Sequence, residues 1–263
     1  MKTAVSRRTA LGLGAAAVAS AFLPLEVWAA SPKRRVVVWS EGTAPKNVYP
    51  NDINGAIADA LKKSLPDWEV VTASINDPDQ GVSEESLNMT DVLMWWGHKR
   101  HRDVKDEVVE AVFKRVNEGG MGFISLHSSH FAKPYKRLMG TACTWSEYKA
   151  DGTSVSITVK EPDHPICKGV KDFQLPLIER YGEPFAVPEP EAVPLDGVYT
   201  KPDGTKAPGR MGLCWTIGKG RVFYFTPGHE TYDDFFRPEV KLIMANAVKW
   251  AAGTDRQERS TSR

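Results

Sequence analysis

A mostly parallel α/β sheet flanked by helices is the fold this sequence predicts, and three observations carry it. Short, continuous apolar runs alternate with segments whose apolar residues recur at helical spacing, the order that generates parallel strands joined by right-handed crossovers. The runs are apolar without a break (Val36-Val37-Val38-Trp39, Val92-Leu93-Met94-Trp95-Trp96), as strands covered on both faces must be. Each run then gives way at once to polar residues, so chemistry-bearing side chains collect where strands end, the edge at which such sheets bind ligands.

The first strand, Val36 to Trp39, follows basic Lys33-Arg34-Arg35 and ends at Ser40-Glu41-Gly42. Asn51 or Asp52 is placed to cap a helix with Ile53, Ile57, Ala60 or Leu61, and Leu65 on one face. That helix stops before Pro66, because the residue preceding a proline is disfavoured in helical geometry. Trp68 to Ala73 reads as a second strand and Asp91 to Trp96 as a third, ending at Gly97-His98. Between them Ser74 to Met89 reads as loop with one helical turn. Asp103 is the expected N-cap of a helix carrying Val104, Val108, Val112 and Val116, closed by Gly119-Gly120. Phe123 to Leu126 is the central strand, broken by His127-Ser128-Ser129-His130, and Phe131 to Met139 a short helix. From Thr144 to Thr200 the pattern changes to alternation (Val155, Ile157, Val159) and then to a Pro-rich stretch, predicting an antiparallel, loop-rich insertion. Order returns at Leu213-Cys214-Trp215, a Gly218-Lys219-Gly220 turn, a strand from Arg221 to Thr226, and a last helix that starts at Pro238 with Val240, Ile243, Met244, Ala247, Val248 and Ala251 on its apolar face.

Residues 1–30 are expected to be an export signal rather than part of the fold. Arg7-Arg8 precede an apolar run from Ala10 to Leu23, too short to span a bilayer comfortably, and Val27 and Ala29 are spaced as a small-residue cleavage site. The paired arginines suggest the twin-arginine route, hence a periplasmic or extracellular protein without stable membrane insertion once the signal is removed. One domain is expected over 31–253 and a frayed, disordered tail over 254–263. Removing the signal takes away three cations and one anion and moves the formal charge from +1 to −1. A near-neutral chain with no basic stripe excludes nucleic acid as the natural partner; a homo-oligomer stays open. Cys143, Cys167 and Cys214 are isolated and odd in number, with no C-x-x-C pair, and read as buried apolar residues, with one disulfide and a free thiol as the alternative for an exported chain.

Of the six histidines, four sit at strand ends: His98, His127, His130 and His229. Parallel strands bring such positions to one rim. His101, in the charged run Lys99 to Asp103 that reads as solvated, and His164, in turn-like Asp163-His164-Pro165, are set apart. Two chemistries suit the cluster. Either His98, His127 and His229 hold a divalent metal such as zinc with a carboxylate such as Glu230, or the histidines, His127, His130 and His229 with Glu230, move protons themselves. No fixed metal spacing is present, and no G-x-S-x-G elbow supports a Ser-His-Glu hydrolase. No nucleotide-binding signature is read, so no nucleotide cofactor is expected. Glu147, Glu179 and Glu183 beside Trp145 and Tyr181 suit a small-molecule carbohydrate, since rings pack on C–H faces while carboxylates take hydroxyls. Glu41, Trp96 and Ser128, at strand ends on the same rim, complete the candidate substrate contacts.

Asn47-Val48-Tyr49-Pro50, Trp95-Trp96-Gly97-His98, Leu126-His127-Ser128-Ser129-His130-Phe131, Met139-Gly140-Thr141, Asp163-His164-Pro165-Ile166, Glu179-Arg180-Tyr181-Gly182-Glu183 and Phe223 to Tyr232 with its Pro227-Gly228-His229-Glu230-Thr231 together resemble the ThuA-like (trehalose utilisation) family over about residues 33–252. The resemblance implies a flavodoxin-like, class I glutamine amidotransferase-like fold and a role in sugar catabolism, commonly beside oxidoreductases that make 3-keto sugars. Amidotransferases of that fold use a Cys at the strand-end elbow. His127 takes that place here, so glutaminase activity is not expected, and His229-Glu230 resemble the His and Glu such enzymes keep after a late strand. Two positions depart from the family: Ser40 stands where Asn is frequent, and Asn54 where His is frequent. The expected function is therefore an exported enzyme, a lyase or hydrolase acting on a sugar or 3-keto-sugar glycoside; a non-catalytic carbohydrate-binding protein is the alternative.

Overall fold

The structure is a computed structural model that describes residues 33–253; the expected signal at 1–30 and the tail at 254–263 lie outside the described residues. In chain order the elements are β1 (Arg35–Ser40), α1 (Asp52–Ser64), β2 (Glu69–Ser74), α2 (Glu84–Asn88), β3 (Val92–Trp96), α3 (Asp106–Asn117), β4 (Gly122–Leu126) and α4 (Lys133–Met139). There follow β5 (Trp145–Lys149), β6 (Ser154–Val159), β7 (Phe173–Leu175), β8 (Arg180–Phe185), β9 (Ala192–Thr200), β10 (Lys206–Ile217), β11 (Gly220–Phe225) and α5 (Pro238–Ala251). Among the described residues nine strands form one sheet in the order β2-β1-β3-β4-β11-β10-β9-β6-β7, and β5 and β8 pair separately. The first five are parallel, in the 2-1-3-4-5 arrangement of flavodoxin-like folds with β11 as the fifth strand. The rest add antiparallel, so the insertion extends the sheet outward.

The unbroken apolar runs have a simple cause. Successive side chains of a strand point to opposite faces, and here both faces are covered. Val36 and Val38, Met94 and Trp96, Ile124 and Leu126, Phe223 and Phe225 pack on one side with α1 and α5. Val37 and Trp39, Leu93 and Trp95, Phe123, Val222 and Tyr224 pack on the other with α3 and α4. Trp39 stacks on Trp95 with ring centroids 3.7 Å apart. Burying such side chains contributes roughly 1.5–3 kcal/mol each, which makes the central strands the rigid base of the rim they end on.

Local expectations needed correction at the helix starts. Asp103 does not cap α3: it lies in a separate 3-10 turn (His101–Asp103), and the helix begins at Asp106 after Lys105, without a side-chain cap. Val104 precedes the helix yet is buried. Asn51 stands at the N-cap position of α1 without a capping hydrogen bond, and Asp52 itself accepts from the Ile53 N–H at 2.8 Å. The loop of 74–89 contains both a 3-10 turn and α2. β10 begins at Lys206, seven residues before the apolar Leu213, because pairing with β9 rather than apolar character holds its first half. The three cysteines are free and buried. No helix among the described residues is long and apolar enough to cross a membrane.

Candidate metal centre

Neighbouring strands lie about 4.8 Å apart, so three adjacent strand ends deliver side chains within reach of one another. His98 follows β3, His127 follows β4 and His229 follows β11, and these strands are consecutive in the sheet. The His98 and His127 rings are parallel at 5.8 Å. His229 stands edge-on to both, at 4.9 and 5.4 Å. Glu179, from the loop leading into β8, closes the group with its Oε2 3.0 Å from His127 Nε2. One donor atom from each of His98, His127, Glu179 and His229 lies within 4.8 Å of all the others.

His127 is the pivot. It is fully buried, and its backbone is left-handed with φ +53°, a conformation that costs a non-glycine residue roughly 1–2 kcal/mol and is kept where the surroundings enforce it. The Tyr224 hydroxyl donates to its carbonyl at 2.9 Å. Its Nδ1 faces the Thr226 carbonyl at 2.9 Å. A carbonyl only accepts, so Nδ1 carries the hydrogen and Nε2 is turned toward Glu179, the arrangement that orients metal-binding imidazoles. The Tyr181 hydroxyl donates to Glu179 Oε2 at 2.9 Å and lies 2.8 Å from Ser128 Oγ, which in turn meets His98 Nδ1.

Protonation states follow from burial and neighbours. Burial, then the charge of His127, lowers His98 below the usual imidazole range and lowers His229 to about 4. Burial alone would raise the Glu179 carboxyl; hydrogen bonds and charge from His127, with the Tyr181 hydroxyl, overcome it and hold it at about 2. With His98 and His229 held uncharged at neutral pH beside an ionised Glu179, the group offers the nitrogen lone pairs and the carboxylate that a borderline divalent cation such as zinc requires of its ligands, so the residues present fit the group.

Several predicted site residues are placed elsewhere. The carboxylate of the cluster is Glu179, not Glu230. Glu230 is buried 3.6–3.7 Å from the Nδ1 atoms of His229 and His98, and its other oxygen takes Lys99 Nζ at 2.9 Å; burial would raise its carboxyl, but the Lys99 hydrogen bond brings it below the usual range. His130 does not join the cluster. It is fully buried among Phe131, Tyr148, Tyr181, Phe185 and Tyr224, where burial holds it well below the usual imidazole range. Replacing it with leucine is therefore expected to leave turnover intact and not to lower the melting temperature, since both its ring nitrogens lack partners among the described residues; a dead His130→Leu variant would contradict this placement.

Glu147 pairs with Arg180 and Glu183 with Arg210 through two contacts each, so both carboxylates brace the insertion instead of facing the imidazoles. Trp145 is buried, stacked on Phe185 at 4.0 Å, and offers no open ring face. Trp96 is buried and donates Nε1–H to the Gly228 carbonyl at 3.0 Å, tying β3 to the turn that presents His229. That turn needs glycine: φ is +120° and an added Cβ would lie 2.5 Å from the Phe235 ring. Glu41 is 1% exposed and accepts the backbone N–H groups of His98, Lys99 and Arg100, so it shapes the loop that presents His98. Ser128 and Tyr181 remain at the cluster. Sequence reasoning missed Lys99, read as part of a solvated run although it directly follows His98, and Asp234, whose carboxyl burial pushes up to about 7. His101, read as solvated too, is half-buried; burial first brings it to about 4.

Residues 35–251 match the family model described as ThuA, trehalose utilisation. Among solved structures, a ThuA-like protein from Bacteroides uniformis is 17% identical, covering 85% of this chain and 93% of that one with a TM-score of 0.55. A cytoplasmic protein of Salmonella typhimurium is 13% identical over 84% and 99%, with a TM-score of 0.56. A glutamine amidotransferase from Thermotoga maritima is 11% identical over 84% and 99%, with a TM-score of 0.53. At these identities the likeness is one of fold. No curated protein matches the chain.

Proposed function

The chain belongs to the ThuA, trehalose utilisation, family, and from that premise we propose that it is an exported sugar-catabolism enzyme that eliminates or hydrolyses 3-keto-sugar glycosides at the His98–His127–Glu179–His229 cluster. The observation that carries the reading is the meeting of three imidazoles and one carboxylate at the ends of three adjacent strands. In this proposal those four residues hold a divalent cation, which, when bound, polarises the sugar's keto oxygen and so acidifies the neighbouring C–H.

The remaining work belongs to the chain's own groups. Glu230, ionised and with Oε2 free of hydrogen-bond partners among the described residues, is the base that takes the proton from C2. The electron pair of that C–H bond becomes the new C1–C2 double bond, and the C1–O bond to the leaving group breaks. The departing oxygen collects a proton from water, which leaves an alcohol and an unsaturated keto sugar; addition of water to the latter completes net hydrolysis. Lys99 stabilises Glu230 as a carboxylate between turnovers. No glutaminase step is included, because the strand-end elbow carries an imidazole rather than a thiol.

Incubating the protein with a 3-keto glycoside and with its unoxidised parent tests the proposal. Release of the leaving alcohol from the keto compound alone is the expected result. Equal release from both would place the chemistry on another bond, and release from neither would favour a binding protein. Export is tested separately by the N-terminus of the mature protein, expected near residue 30.

A further inference from the structure

On the same rim a cavity of about 610 Å³ opens between the Lys99–Asp103 segment and the start of α4. Its lining is cationic. Lys99, Arg102, Lys133 and Lys136 face it against a single carboxylate, Asp103. This is no consequence of a basic protein, since 34 lysines and arginines are balanced by 33 acids over the chain. Part of the charge is already met: Lys99 by Glu230, Lys133 by Asp106, and Asp103 by Arg100, each at 2.9 Å. Arg102 and Lys136 have no carboxylate within ion-pair distance among the described residues, and Lys136 Nζ lies 4.6 Å above the Phe131 ring. The Lys99–Glu230 contact joins the cavity to the imidazole cluster, because Lys99 lines the first and Glu230 borders the second. His101, between them, is lowered to about 4 by burial first, against the raising charge of Glu41, so at neutral pH it adds an uncharged ring to this lining.

We propose that this cavity is an anion subsite: the sugar bound at the cluster carries a carboxylate or phosphate that seats between Arg102 and Lys136. The identity of the rest of the ligand rests on the sugar reading above; the anion preference does not. Arg102 is exposed and Lys136 half-buried; two cations that face one cavity without a carboxylate partner attract such a group from both sides, an attraction that weakens as salt rises.

Calorimetric titration of the whole chain with D-glucuronate, D-glucose 6-phosphate, D-glucose and inorganic phosphate tests it, alongside the Arg102→Gln/Lys136→Gln double variant. Both substitutions lie outside the metal-donor cluster, and an unchanged melting temperature verifies the fold. At least one anionic sugar should bind ten-fold or more tighter than glucose, the tighter of the two identifying carboxylate or phosphate. The double variant should reduce that preference to within two-fold. No preference in the wild type, or a preference that survives the double substitution, overturns the proposal. Inorganic phosphate binding as tightly as glucose 6-phosphate, and lost in the double variant, upholds the anion subsite while counting against a sugar as the rest of the ligand.

Discussion

Replacing His127 with alanine is expected to abolish metal retention and thereby to lower turnover by on the order of 10²–10⁴-fold, since the carbonyl polarisation a bound cation would supply is worth several kcal/mol and each 1.4 kcal/mol is about ten-fold in rate. Two effects are mixed in that variant. The imidazole is lost, leaving the Thr226 carbonyl and Glu179 without their partner, and an alanine is left at φ +53°. Glycine separates them, because it adopts left-handed backbone without penalty. His127→Gly should be as inactive as His127→Ala yet more stable by about 1 kcal/mol, read from urea midpoints. A His127→Gly protein that turned over normally would remove His127 from the chemistry. A glycine variant less stable than the alanine one would show that the backbone there is not strained.

The second large effect falls on a residue outside the cluster. Glu41 accepts three consecutive backbone N–H groups and the Thr43 hydroxyl from a buried position. Glu41→Ala leaves those part-buried amides without that acceptor; at the low end of the cost of an unsatisfied donor, about 1 kcal/mol each, a destabilisation of about 3 kcal/mol is expected. The loop that presents His98 then loses its anchor, and metal affinity should fall 10–100-fold, as when supporting partners of metal ligands are removed. Glu41→Gln keeps one acceptor oxygen and should recover part of both losses. Chelator competition and denaturant titration on the two variants check this. If Glu41 contacted substrate directly, metal affinity would stay at the wild-type value while KM rose.

The central strands were legible because each is buried on both faces, which writes them into the chain as unbroken apolar runs such as Val92 to Trp96. β10 was only half legible. Its first residues, Lys206-Ala207-Pro208-Gly209-Arg210, are held by pairing with β9 across register shifts at Arg210/Gly212 and Gly212/Cys214, and such non-local pairing leaves no apolar period. The imidazole cluster was legible for a related reason: in a parallel sheet, equivalent positions after β3, β4 and β11 must be neighbours. His130 shared that signal falsely, because the left-handed residue at His127 opens a 3-10 turn that carries His130 to the aromatic side. Glu179 was singled out only as a sugar contact, since nothing local says that the insertion folds its carboxylate back over the sheet. Glu41 looked like one more strand-end acid, and only the backbone amides of residues 98–100 reveal its supporting role.

The most direct test of the proposed centre is the metal content of tag-free protein after gel filtration, compared with His98→Ala, Glu179→Ala and His130→Leu variants, with reloading by zinc or manganese where the purified protein is bare. The four-ligand account predicts one divalent ion per chain, lost in the His98 and Glu179 variants and retained in the His130 variant. Wild-type protein that turns over its substrate while retaining and taking up no divalent ion, or a Glu179→Ala variant that holds the ion as tightly as the wild type, would contradict it.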